Sequence, residues 1–172
     1  MRKVLSTLLI LALLTSCSTD GGLDSMPGAL VTTEETPGDK MGAFELPSVT
    51  ANAGAQPSIG ELIGAAPETL QIKDVIVGTG AQANASSTLE VHYTLISYSN
   101  GALVESSWSS NQTATFPLNE VIAGWQEGIP GMKEGGRRLL IVPPSLGYGE
   151  MGSGPIAPNE TLVFVVDLIK VS

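Results

Sequence analysis

Asn119-Glu120-Val121-Ile122-Ala123-Gly124-Trp125-Gln126-Glu127-Gly128 is the one stretch of the last hundred residues that reads as a helix. Asn119 is a residue type whose side chain accepts from the free amides of a first turn, and Gly128 followed by Pro130-Gly131 stops the turn from continuing. A short helix over 119–127 is therefore predicted. Working outward, the neighbouring segments are β-branched and broken by Gly, Pro, Asn and Ser, the texture of short strands. Residues 89–97 alternate, with Val91, Tyr93 and Leu95 on one face and Glu90, His92 and Thr94 on the other. Asn100-Gly101 supplies the positive-φ pair of a tight hairpin, which returns through 102–106. Residues 70–77, 113–118, 137–142 and 161–171 complete the predicted strands. The sum is an α+β fold, a curved antiparallel β-sheet wrapped around one short α-helix.

With 172 residues the chain has room for one ordinary domain and an extension. Lys and Arg number 8 against 17 Asp and Glu, a formal charge of −9, which argues against a nucleic-acid partner because phosphate contacts need clustered cations. One cysteine excludes an intramolecular disulfide and a Cys-rich zinc site, and a single histidine, His92, weakens any metal or Ser-His-Asp reading. No metal and no cofactor are expected. His92 reads as a plain surface residue, and Lys133, Arg137 and Arg138 as a solvated turn and strand edge.

The amino terminus sets the compartment. Met1-Arg2-Lys3 precedes an apolar run that ends in Leu14-Thr15-Ser16-Cys17, a secretory signal too short to span a bilayer. Its last four residues resemble the bacterial lipobox, which implies a signal peptide over 1–16 and a lipid on Cys17. Ser18 stands where Asp would signal inner-membrane retention, so the resemblance favours a lipid-anchored envelope protein at the outer membrane, facing the periplasm. Residues 17–66 hold one aromatic, Phe44, among many Gly, Pro, Ser, Thr and Ala, and read as the lipidated Cys and a flexible tether, with at most a helical turn or two over 59–66. Residues 67–172 read as the domain. The acidity divides between them: one Lys against seven acids over 18–66, and five cations against ten acids beyond.

From Leu70 to Ser172 the chain resembles the FKBP-type peptidyl-prolyl isomerases. The resemblance is carried by Val91-His92-Tyr93-Thr94, by Glu120 to Gly128, by Gly147-Tyr148-Gly149 and by Thr161 to Leu168, in that order. It implies a proline pocket with Trp125 as floor and Tyr93, Val104, Phe116, Val121, Ile122, Ile156 and Phe164 as walls. It also implies that the Ile122 N–H holds a substrate carbonyl, that Tyr148 donates its phenol hydrogen near the proline, and that Tyr93 points at Glu105. The catalytic set so implied is Tyr93, Glu105 and Tyr148. Val104-Glu105 stands where the family usually has Phe-Asp, and Ala114 where it has an aromatic. The implied function is isomerisation of X-Pro bonds in extracytoplasmic polypeptide clients by a monomer held on the membrane. The alternative is a chaperone-like binder of proline peptides with weak catalysis.

Overall fold

Two runs, Arg137-Arg138-Leu139-Leu140-Ile141-Val142 and Leu162-Val163-Phe164-Val165-Val166-Asp167-Leu168, are buried at every residue, so the sheet that contains them is covered on both faces. The computed structural model describes residues 43–172; the expected signal peptide, Cys17 and the first part of the expected tether lie outside the described residues. The elements in chain order are β1 (Gln71–Ile76), β2 (Thr88–Ser97), β3 (Leu103–Ser106), β4 (Ala114–Pro117), α1 (Ala123–Gly128), β5 (Arg137–Val142) and β6 (Leu162–Val171). Every pairing is antiparallel, in the order β1-β5-β6-β2-β3, and β4 joins the amino-terminal half of β2 while β3 joins its other half. Register irregularities at Asp74/Ile76, Glu90/Val91 and Leu95/Ile96 add local twist, which is how a sheet of this size curls around a helix.

Alternation assigns the two faces. Leu89, Val91, Tyr93 and Leu95 of β2, Leu140 and Val142 of β5, and Leu162, Phe164, Val166 and Leu168 of β6 gather with Trp125 and Ile129 on the helix side. Ile96, Leu139, Ile141, Val163 and Val165 project to the other side. The helix lies close to the sheet because two of its residues lack a side chain. A Cβ on Gly124 would collide with Val142, and one on Gly128 would meet Leu140 Cδ2 at 2.7 Å.

The helix begins later than the sequence predicts. Residues Leu118–Glu120 make a single 3-10 turn, and Val121 and Ile122 are extended, with ψ of 176° and 151°. The first helical residue is Ala123, and Asn119 is not its cap. Ile122 takes that position with no side-chain cap; its carbonyl accepts from Trp125 and Gln126 N–H at 3.0 and 3.2 Å. The 3-10 turn over 118–120, which takes Asn119 as its middle residue, and the packing of Val121 and Ile122 toward the core override the local capping preference.

Residues 43–66 are not a free tether. They form an open antiparallel hairpin, with bridges Glu45↔Ile63 and Val49↔Ile59, and no helical turn over 59–66. Phe44, Val49, Ile59 and Leu62 pack against the far face of the sheet and supply the cover that makes β5 and β6 buried on both sides. The average composition of the segment conceals these four residues, which act because a matching apolar face exists elsewhere in the chain.

The arginines are not solvated either. Arg137 is fully buried; its Nε donates to Asp167 Oδ1 at 2.8 Å, and its terminal nitrogens donate to Thr50 O, Asn52 Oδ1 and Ala55 O at 2.7, 3.1 and 2.6 Å. It thus clamps the hairpin to the sheet. Tyr98 adds a second tie, its hydroxyl lying 3.2 and 3.3 Å from the Ile63 and Gly64 carbonyls. Arg138 points to the helix side, where it forks onto Asp74 at 2.7 and 3.1 Å and donates to Gly128 O at 2.8 Å, joining β1 to the end of α1. His92 is half-buried rather than plain surface: it stacks on Trp108 at 4.0 Å and 18°, with Nδ1 2.9 Å from Ser107 Oγ. The register places His92 opposite Asp167, and Asp167 opposite Arg137, so a polar row crosses three strands.

Candidate active site

Four aromatic side chains from four elements meet between the sheet and the helix. Trp125, in the first turn of α1, is surrounded by Tyr93 of β2, Phe116 of β4 and Phe164 of β6, with ring centroids 6.0, 5.8 and 5.5 Å away. The interplanar angles are 85°, 85° and 81°, so each ring presents an edge to another's face, the arrangement aromatic quadrupoles favour. Tyr93 and Phe116 close the group at 6.0 Å and 63°. Trp125 is 4% exposed, and its Nε1 has no hydrogen-bond partner among the described residues.

Above this floor lies a cavity of about 570 Å³, of the size that accepts a small ligand. The structure brings Tyr93, Glu105, Phe116, Val121, Ile122, Trp125, Tyr148 and Phe164 to its walls, eight of the ten residues expected there. Val104 and Ile156 are not among the lining residues. Val104 falls in the irregularity between the pairs Leu95↔Glu105 and Ile96↔Leu103, where its side chain packs against the core. Ile156 is held in a tight turn by reciprocal hydrogen bonds with Ser153 at 3.0 and 2.9 Å, and is 7% exposed in the same core. Leu95 and Glu120 also line the cavity and are not singled out by the sequence reading, whereas Ala114 lines it at the position where the resemblance implies an aromatic wall. Leu95 lies two residues beyond Tyr93, so strand periodicity carried the signal for it.

The polar groups sit at the mouth. Tyr148, between the 3-10 turns Pro144–Leu146 and Gly149–Met151, is 39% exposed, and its hydroxyl has no partner among the described residues. The extended conformation of Val121 and Ile122 leaves the Ile122 N–H without an intramolecular acceptor there. Tyr93 is different. Burial, then hydrogen bonding to Glu105 and the charge of that carboxylate, and last Tyr148, push its phenol well above the ordinary tyrosine value. It remains a neutral donor directed at Glu105.

An apolar aromatic box with one free amide and one free phenol among its lining residues has the chemistry to hold a compact apolar ring and the carbonyls beside it. Residues 80–169 match the model of the FKBP-type peptidyl-prolyl cis-trans isomerases, more than half of the chain, and the chain belongs to that family. It is similar to a probable FK506-binding protein of Corynebacterium glutamicum, 53% identical over 115 residues, covering 67% of this chain and 98% of the relative. It is also similar to the peptidyl-prolyl cis-trans isomerase Mip of Coxiella burnetii, 45% identical over 105 residues, 59% of this chain and 44% of that one. Among solved structures, FkpA from Escherichia coli superposes with a TM-score of 0.57 at 37% identity, over 60% of this chain and 48% of that chain. Residues 1–18 match a prokaryotic membrane lipoprotein lipid attachment site, which makes this a lipid-anchored envelope member of the isomerase family.

Proposed function

We propose that the cavity above Trp125 is the site of X-Pro isomerisation, and that it works by stabilising the twisted imide. Rotation about a peptide bond has a barrier of ~18–20 kcal/mol because C–N double-bond character is lost. For X-Pro both end states are accessible within ~0.5–1 kcal/mol, so only the barrier needs treatment. A site that binds the twisted form better than either planar form lowers that barrier without a nucleophile or a cofactor. The twisted carbonyl carries less charge on oxygen and is less well hydrated, so a dry aromatic box favours it over the planar amide.

In this reading the pyrrolidine ring rests on Trp125 between Tyr93, Phe116 and Phe164. Val121 and Ile122 form the adjoining wall, and the Ile122 N–H holds a substrate carbonyl. Tyr148 donates to the carbonyl near the proline, while Glu105 keeps the Tyr93 hydroxyl oriented. The observation that carries the reading is the perpendicular packing of three rings around Trp125 beneath an open mouth that bears those two free donors. Clients are proline-containing polypeptides folding outside the cytoplasm. The working unit in this reading is a monomer. We place the protein at the outer membrane facing the periplasm, supported by Ser18 after Cys17.

NMR exchange on Ala-X-Pro peptides at micromolar protein tests the activity. Wild type is expected to accelerate exchange strongly, Trp125→Ala to abolish the effect, and Tyr148→Phe to lower it about tenfold, the loss of one hydrogen bond to the transition state. A wild-type rate equal to the spontaneous one overturns the proposal.

A further inference from the structure

Tyr148 carries the free phenol of the site, yet its own backbone does little to direct it. Glycine flanks it on both sides: Gly147 turns with φ −112° and ψ −117°, and Gly149 sits in the left-handed region at φ 59°. A side chain between two residues of such freedom takes its place from ties to the rest of the fold. On the amino side, Gly147 N–H donates to Pro144 O at 3.0 Å and closes the 144–146 turn. On the carboxyl side, Asn159 N–H donates to Gly149 O at 2.9 Å. Among the described residues this is the only hydrogen bond that joins residues 148–152 to the rest of the molecule.

Asn159 reaches Gly149 from a left-handed conformation of its own, φ 57°, which Asn adopts more readily than most side chains. Its neighbour holds it there. β2 and β6 pair as far as Ser97 opposite Leu162, Tyr98 N–H adds a bond to Thr161 O at 2.9 Å, and there the backbone ladder ends. Glu160 extends it with a side chain: Oε1 accepts from Ser99 N–H at 3.0 Å, and Oε2 accepts from the Ser99 hydroxyl at 2.7 Å. Each carboxylate oxygen thus has its own donor, the strong form of such a bond. A connected path runs from the turn after β2 through Ser99, Glu160 and Asn159 to Gly149 and Tyr148. None of Ser99, Asn159 and Glu160 lines the cavity.

We infer that Glu160 is a positioning residue for the isomerase reaction: its fork onto Ser99 fixes Asn159, and the Asn159–Gly149 bond then keeps the Tyr148 phenol at the cavity. The inference rests on the isomerase reading above, in which Tyr148 donates near the proline. Loss of a hydrogen bond of this kind shifts a local equilibrium by about fivefold. The share of molecules with Tyr148 in place falls, and the apparent rate falls with it. The loss is bounded by that of the phenol itself, about tenfold in Tyr148→Phe.

The test measures kcat/KM by NMR exchange on an Ala-Leu-Pro peptide with the full chain, and the backbone heteronuclear NOE at Tyr148 and Gly149 in the same samples. Glu160→Ala should lower the rate about fivefold and lower both NOE values. Glu160→Gln, which keeps an acceptor for Ser99 N–H and offers a donor to the Ser99 hydroxyl, should stay within about twofold of wild type. Asn159→Gly keeps the left-handed backbone and should do the same, whereas Asn159→Val resists it and should fall with Glu160→Ala. Glu61→Ala, the same truncation in the far-face hairpin, should change neither readout. Because Glu160 acts through Tyr148, Tyr148→Phe/Glu160→Ala should lose no more than about tenfold, whereas independent effects would multiply to about fiftyfold. An unchanged rate or an unchanged NOE in Glu160→Ala, or a fiftyfold loss in the double variant, overturns the inference. A wild-type rate equal to the spontaneous one overturns the isomerase reading itself, and the NOE still reports whether the fork holds Tyr148.

Discussion

Arg137→Met is the perturbation that best tests how the 43–66 hairpin is held to the sheet. The substitution keeps most of the side-chain volume but removes donors to Asp167, Thr50, Asn52 and Ala55, at 2.8, 2.7, 3.1 and 2.6 Å. Asp167 is left buried with no partner, since its Oδ2 already has none among the described residues. Breaking a buried pair by removing one member costs ~3–5 kcal/mol. The carbonyls of Thr50 and Ala55 are only partly buried and can rehydrate, so they add at most ~1 kcal/mol each. Against a total stability of ~5–15 kcal/mol, the urea midpoint should fall by roughly 2 M, read from tryptophan fluorescence.

Two further measurements separate this mechanism from simple loss of packing. In Arg137→Met/Asp167→Asn the orphaned charge is gone, so most of the stability should return. The pH dependence has a definite sign. Burial raises the Asp167 carboxyl above its ordinary value, while the Arg137 hydrogen bond and charge, and then His92, oppose the rise. Without Arg137 the folded-state value climbs further above the unfolded one, ~3.9. A raised folded value means the folded state binds the proton more tightly, so stability is greatest below the unfolded value and is lost as pH rises through the folded one. The variant's deficit should therefore be large at pH 7 and shrink toward pH 4. A deficit equal at both pH values and unchanged by Asp167→Asn would refute the reasoning.

Deleting residues 1–66 exposes Ile96, Leu139, Ile141, Val163 and Val165, so that protein should bind a hydrophobic dye and aggregate, whereas deletion of 1–42 should leave a cooperative unfolding transition. Ala114→Phe adds apolar wall to the cavity and should raise kcat/KM for an apolar substrate by a few fold, while Val104→Phe, whose side chain is packed in the core, should destabilise by ~1–3 kcal/mol without a comparable gain; urea melts and exchange rates on the same samples distinguish the two. Because the Tyr93 phenol is held above its ordinary value, the stability tied to its proton is fully present below ~10 and is lost only above it, so exchange rates should be flat from pH 6 to 9.

Some elements were legible because one local signal determines them. β5 lies where its apolar run predicts, and β2 and β6 differ from expectation only at an end residue, since a continuous or alternating apolar run has few other ways to be buried. The aromatic residues of the site were legible through linked motifs, but which neighbours share the cavity was not. Val104 and Glu105 are adjacent, and a register irregularity sends only Glu105 to the cavity wall. Asn119 has the chemistry of a cap, yet it is taken into the 3-10 turn over 118–120, and the packing of Val121 and Ile122 starts the helix four residues later.

The sequence by itself determined the antiparallel sheet with one short helix, the aromatic set around Trp125, the acidity of the chain and the lipid attachment at its amino terminus, because each is written in the order and type of neighbouring residues. Only the tertiary structure decided that residues 43–66 belong to the folded body, that Arg137 and Arg138 are interior clamps, and that Glu105 and Glu120 meet at one opening. Those features depend on partners 10 to 87 residues apart, and no local pattern records the distance between side chains that only folding brings together.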